Sequence, residues 1–254
     1  AGFLAGCASQ SAEEPEPPVT IPESFSASGD EQPPEQWWRD LHDAKLNQLV
    51  QDGLDANLDV RTAWQRLRES RAAVAQQSAD FYPNLDATAD GEVSNSDTSD
   101  TTESLRLGLS SEYEVDLWGR ISSQAQAEQF RTRATRADYQ TTALTVSAEV
   151  ARTWYQLRAQ RAQLALAESQ IETNRSVMKL LEAQFGSGQA SSADVLRQRQ
   201  LLESTEEQRL STESQLGVLE NQLAVLLGRA PRNTELPAGR GLPSELPPLP
   251  DTGG

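Results

Sequence analysis

The segment LRLGLSSEYEVDLWGR, residues 105–120, decides the fold, because one periodicity ends there and another begins. Leu105, Leu107, Leu109, Tyr113, Val115 and Leu117 alternate with Arg106, Ser110, Glu112, Glu114 and Asp116, the period-2 pattern of a strand with one apolar and one polar face. Trp118-Gly119 closes the strand pattern. From Arg120 to Phe185 no proline intervenes, and the first glycines are Gly186 and Gly188. That run of about 66 residues predicts one helix about 99 Å long. Ala143, Val150, Leu157, Leu164, Ile171, Met178 and Phe185 recur every seventh residue within it, a coiled-coil seam with a left-handed bias. The companion positions three residues on are mixed, from Val146 and Leu181 to Thr153 and Asn174.

Upstream, Leu85, Ala87, Ala89, Gly91 and Val93 alternate against Asp86, Thr88, Asp90 and Glu92, so a second half-buried strand precedes the first. Residues Ser94 to Ser104 contain nothing apolar and read as a solvated loop. The two strands are expected to form an antiparallel hairpin long enough to cross a bilayer when tilted, its alternation matching a barrel with lipid outside and water inside. The alternative, a soluble hairpin on the edge of a sandwich, finds no second sheet to pack against in this sequence. A two-stranded hairpin is not stable alone, so other copies or further sequence are expected to complete it.

Asn57 is a suitable N-cap for a helix in which Val60, Leu67, Val74 and Phe81 fall every seventh residue, and Pro83 ends it. Before it, Trp37-Trp38-Arg39-Asp40-Leu41 leads into a short helix over about Ala44 to Gly53, with Leu46, Leu49 and Val50 on one face and the tryptophans as packing anchors. After the long helix, Gly186-Ser187-Gly188-Gln189-Ala190 reverses the chain. Ser191 and Asp194 form a capping-box variant that starts a last helix, ending at about Leu227-Gly228. Val195, Leu202, Leu216 and Leu223 continue the seven-residue seam, with Arg209 as the departure. The two shorter helices, about 36 and 54 Å, together match the long one, so they are expected to stack end to end beside it.

The chain of 254 residues has a formal charge of −16 and is 37% hydrophobic, which argues against both a large globular core and a nucleic-acid partner. Asp80 to Trp118 holds ten acidic residues and one base, Arg106, so the acid is concentrated in the strands. The opening Leu4-Ala5-Gly6-Cys7 resembles a bacterial lipobox, making Cys7, the single cysteine, a lipidation site at the end of an export signal. Residues 8–36 carry six of the thirteen prolines and read as a tether. His42, the single histidine, has no second histidine or cysteine near it and reads as a surface residue. The carboxylates come without a histidine, a second cysteine or a phosphate loop, so no catalytic constellation, metal site or cofactor site is expected.

Taken in order, the lipobox, the Trp37 to Leu41 motif with Leu46-Asn47-Gln48-Leu49-Val50, the Tyr113 to Arg120 junction and the Phe185 to Leu196 turn resemble the TolC-like outer membrane efflux factors, in particular their OprM/NodT-type lipoprotein branch. The likeness runs from Cys7 to about Leu246. It implies a mainly α fold with one β-hairpin: a long coiled-coil helical hairpin of an α-barrel plus strands of a transmembrane β-barrel. The segments then divide into a signal remnant (1–7), a tether (8–36), a short belt helix (37–56), an α-barrel helix (57–82), a transmembrane hairpin (83–118), a long helical hairpin (119–228) with its periplasmic tip at 186–194, and a Pro-rich belt tail (229–254). The family is internally duplicated, so this chain is expected to be the first half of a longer protomer.

The resemblance further implies a passive homotrimeric conduit in the outer membrane, without enzymatic activity, joined to a periplasmic adaptor and an inner membrane pump. Asp86, Asp90, Glu92, Glu112, Glu114 and Asp116 would line the lumen. Gly186, Gly188, Gln189, Ser191 and Asp194 would form the adaptor-contacting tip, although Asp194 equally suits a helix first turn. The competing class is a periplasmic adaptor or a structural coiled-coil lipoprotein. An adaptor needs several short strands on both sides of its helical hairpin, and a plain coiled coil leaves the two amphipathic strands unexplained.

Overall fold

The computed structural model describes residues 36–95 and 101–231. The signal remnant with Cys7, the tether through residue 35 and the tail from residue 232 lie outside the described residues. A 3-10 helix at Trp37–Leu41 precedes α1 (Ala44–Ala56), α2 (Leu58–Ala79), β1 (Asn84–Asn95), β2 (Thr101–Glu112), α3 (Arg120–Gly186) and α4 (Ser192–Leu226). Two compact units result. One contains Ala63–Tyr139; the other contains residues 36–62 and 140–231.

In the first unit, α2 runs antiparallel to the start of α3. Thr132 donates its hydroxyl to the Ser70 carbonyl at 3.1 Å, and Trp64 meets Tyr139 with ring centroids 5.5 Å apart. Leu67, Ile121 and Ala125 are the buried apolar residues of this pairing. The strands β1 and β2 pair antiparallel in one unbroken register from Asn84 opposite Glu112 to Asn95 opposite Thr101. Residues 94–95 and 101–104, read from the sequence as loop, are therefore strand. A backbone ladder holds as long as a partner lies opposite, whatever the polarity of the side chains.

At its other end β2 is shorter than the alternation suggested, because the ladder stops at Asn84 opposite Glu112. Pro83 follows on the partner side and has no N–H to donate. Tyr113 to Leu117 keep the alternation in sequence but have no ladder partner. Phe81, the last expected seam residue of α2, also lies beyond its helix and is exposed.

In the second unit, α4 returns antiparallel along α3. Gln160 bonds Gln215 at 2.8 Å, Arg161 pairs with Glu220 at 3.0 Å, Asn174 bonds Thr205 at 3.1 Å, and Arg175 pairs with Glu206 at 2.9 Å. Val150 and Leu157 of the seam are completely buried, with Ile171 and Met178 nearly so. The Asn174–Thr205 bond fills a mixed seam position with a polar pair, a device that fixes register at some cost in stability. Phe185, the last seam residue, stands one residue before the end of α3 and is 50% exposed.

The short helix α1 packs close to α3 and α4. A Cβ on Gly53 would lie 3.2 Å from Val150 Cγ2 and 3.5 Å from the Leu226 carbonyl oxygen. Asn57 caps α2 with its Oδ1, accepting from the amides of Asp59 (2.9 Å) and Val60 (3.3 Å). Its Nδ2 donates to the Leu226 carbonyl at 3.0 Å. One side chain thus bonds the first-turn amides of α2 and a last-turn carbonyl of α4. Gly228 follows with φ 66°, and any Cβ there would collide with the Ala56 carbonyl group, so both backbone conformation and space require glycine. None of the described helices is long and apolar enough to cross a membrane.

Candidate functional site

Three regions bear on function: the faces of the hairpin, the turn between α3 and α4, and the anchor of α1. Residues directly opposite in an antiparallel pair share a face. Leu85, Ala87, Ala89, Gly91 and Val93 therefore share one face with Leu109, Leu107 and Leu105, and Ser111 and Glu103 close it at its ends. Asp86, Thr88, Asp90 and Glu92 share the other with Ser110, Gly108, Arg106 and Ser104, and Glu112 joins them opposite Asn84. Two separately periodic segments have been brought together in the one parity that puts the apolar residues of both strands on the same face. A slip of one residue would mix them. The large apolar residues of the first face are 71–77% exposed.

Four expected lumen residues, Asp86, Asp90, Glu92 and Glu112, share the polar face, with Arg106 directly opposite Asp90. Glu114 and Asp116, the other two expected lumen residues, are not part of this ladder. They lie past the last ladder pair, and both turn toward the start of α3. Glu114 forms a two-pronged ion pair with Arg120, Oε1 to Nε at 3.1 Å and Oε2 to a terminal nitrogen at 2.5 Å. Asp116 accepts from the amides of Ile121 (3.2 Å) and Ser122 (2.9 Å). The first-turn amides of a helix have no partner within it, and a carboxylate there satisfies them.

The expected tip residues come together in one turn. Gly188 has φ 76°, and the amides of Gln189 and Ala190 both donate to the Gln184 carbonyl, at 2.8 and 3.3 Å. Ser191 Oγ accepts from the Asp194 amide at 3.2 Å, while Asp194 Oδ2 accepts from the Ser191 amide at 3.2 Å and its hydroxyl at 2.6 Å. The reciprocal capping box is complete, and Arg197 stands 3.4 Å from the other carboxylate oxygen. The Ser191 hydroxyl bond is the main cause that lowers the Asp194 carboxyl. Gly186, Gly188, Gln189 and Ser191 are exposed around it.

A cluster around Asp43 was not expected from the sequence. Asp43 caps α1 through bonds from the amides of Lys45 (3.0 Å) and Leu46 (3.1 Å). Its Oδ2 also accepts from Trp154 Nε1 at 3.1 Å and the Arg158 guanidinium at 2.8 Å. Burial pushes its carboxyl up, but these bonds outweigh burial and hold it below the ordinary value. Arg158 lies over the rings of Trp154 and Tyr155, and Trp37 donates to Ser147 Oγ at 3.2 Å. Asp before a helical run is an N-cap signal, but its partners more than a hundred residues away leave no local trace. His42 is exposed, with φ 51° at the end of the 3-10 helix.

Comparison with known proteins places this architecture. The pyoverdine export outer membrane protein OpmQ of Pseudomonas aeruginosa is 30% identical over 234 residues, covering 83% of this chain and 49% of the relative. The probable efflux pump outer membrane protein TtgC of Pseudomonas putida is 31% identical over 233 residues, covering 88% of this chain and 47% of the relative. Among solved structures, the outer-membrane channel OprN superimposes with a TM-score of 0.75 at 28% identity, covering 92% of this chain and 56% of that one. CusC superimposes with a TM-score of 0.76 at 24% identity, covering 91% and 53%. The chain spans about half the length of the curated relatives it matches. The family model of the outer membrane efflux proteins matches residues 49–229, from α1 through the end of α4, and the chain belongs to that family.

Proposed function

We propose that this chain supplies one strand pair and one long helical hairpin per subunit to a passive trimeric conduit of the outer membrane. An inner membrane pump loads the conduit through a periplasmic adaptor. The register of the hairpin is the observation that carries this reading. A 12-residue strand exceeds the 9 to 11 or so that a tilted transmembrane strand needs, and its alternation gives lipid an apolar face and water a polar one. Coverage of that apolar face by neighbouring strands and lipid accounts for its exposure in a single chain.

In the closed barrel, Asp86, Asp90, Glu92 and Glu112 face the lumen. Their excess over Arg106 gives a negative potential that favours cations. Gly186, Gly188, Gln189, Ser191 and Asp194 form the periplasmic tip that meets the adaptor, and Cys7 carries the acyl anchor. The protein moves solutes without chemistry, so selectivity rests with the pump.

The test is conductance of the complete protein, extracted from outer membranes, in planar bilayers under a salt gradient. Trimers should conduct, and replacing Asp86, Asp90, Glu92 and Glu112 by their amides should shift the reversal potential toward zero. An unchanged potential sinks the lumen assignment. Folded trimers without any conductance sink the channel.

A further inference from the structure

Charge is divided within the unit formed by Ala63–Tyr139. Its strands are acidic, whereas residues 63–79 and 120–139 hold seven arginines against three acids. Arg71, Arg133 and Arg136 converge with Val74, Gln129 and Thr132 around a groove of about 300 Å³ between α2 and α3. Among the described residues no carboxylate forms an ion pair with any of the three. Instead Arg71 lies over the Trp64 ring, 5.6 Å from its centre, and Arg133 over the Phe130 ring at 5.2 Å. Such contacts orient a guanidinium without neutralising it. In a chain of net charge −16, three arginines with no ion pair among the described residues around one groove suit an external anion.

We infer that this groove binds a phosphate group, either the headgroup of a phospholipid or free phosphate. The planar forks of arginine match the oxygens of a phosphate in two-pronged bonds. At about 300 Å³ the groove has room for a phosphate with ester substituents, and Val74 gives it an apolar lining that suits the glycerol end of a lipid. Phosphate binding follows from the unit by itself. The lipid source alone rests on the membrane reading given above.

The experiment uses the complete protein extracted from outer membranes, with R133Q/R136Q as the variant and R66Q/R68Q as the control for general charge. Inorganic phosphate is titrated by phosphorus NMR line width. Retention of phosphatidylglycerol over phosphatidylcholine from nanodiscs is read by native mass spectrometry. R133Q/R136Q should weaken binding at least tenfold, and R66Q/R68Q less than twofold. Retention of phosphatidylglycerol that depends on Arg133 and Arg136 assigns the headgroup; phosphate binding without lipid retention assigns the free anion. Equal binding by wild type and R133Q/R136Q overturns the inference. So does a variant that loses only trimer stability, since the groove would then hold a carboxylate of a neighbouring subunit. Bilayer conductance of the same preparation separates the two readings: trimers that conduct without binding phosphate overturn this one alone.

Discussion

Around Asp43 the chain covers its apolar surface itself: Leu46, Leu49, Val50, Val150 and Trp154 are each 4% exposed or less. In the hairpin, Leu85, Val93, Leu105, Leu107 and Leu109 are each exposed by 71–77%. Both regions have regular backbone hydrogen bonding, so the difference lies in side-chain burial. At about 25 cal/mol per Å² of apolar area, burial is what separates a self-sufficient region from one that waits for neighbours. The helices around Asp43 should therefore keep their fold in any context that keeps α1 against α3, whereas the hairpin takes its stability from what surrounds it.

Trp154→Ala should break the first half of this contrast most severely. It empties a buried site and removes the donor to Asp43, so a loss of about 3–5 kcal/mol is expected in chemical denaturation followed by helical circular dichroism. A loss under 1 kcal/mol would mean that the helices do not depend on this anchor. Leu107→Arg probes the second half. It should cost about 2–4 kcal/mol in bilayer insertion, as for a charge on the lipid face of a barrel. In helical unfolding in water the same change should stay within about 0.5 kcal/mol, as for an exposed site. Equal effects in the two media would place Leu107 in a protein core.

Asp43→Asn should cost about 2 kcal/mol, the scale of hydrogen bonds to a charged group. It also carries a pH signature. Because the folded carboxyl titrates below its unfolded value of about 3.9, its contribution is fully present above that value and is lost as pH falls through the folded one. The variant should lose that part of the acid dependence, seen as a flatter stability curve below about pH 4. The smallest effect is expected at the tip, where Ser191→Ala removes one partner of the capping box and should cost about 1 kcal/mol, localised to the start of α4 in hydrogen exchange.

Most helix boundaries were legible because they are written in local chemistry, Asn57 and Ser191 as caps and Gly186 and Gly228 as stops, whereas α2 ends at Ala79, before the break that Pro83 marks. The hairpin faces were legible because the period of two survives in each strand separately. The end of β2 was not, since alternation persists through Leu117 while pairing depends on a partner that Pro83 terminates. Glu114 and Asp116 carried the same pattern as Glu112, and their bonds to Arg120 and to the first-turn amides of α3 left no mark in that pattern. The Asp43 cluster was invisible for a different reason. Its bonds to Trp154 and Arg158 join residues 111 and 115 positions apart, which no window of sequence contains.

The bond from Asn57 to the end of α4 has a consequence for how such chains can change length. An unbroken helix passes every insertion on to all the residues beyond it, rotating each by 100° per added position. A break between two helices, such as the one that Asn57 spans, confines the disturbance. Seven residues added to α4 and seven to the matching part of α3 would preserve the pairings of α2, with Asn57 still closing the gap. The joint thus acts as an expansion point, at which the reach of the helical hairpin can be reset without redrafting the helices next to the strands.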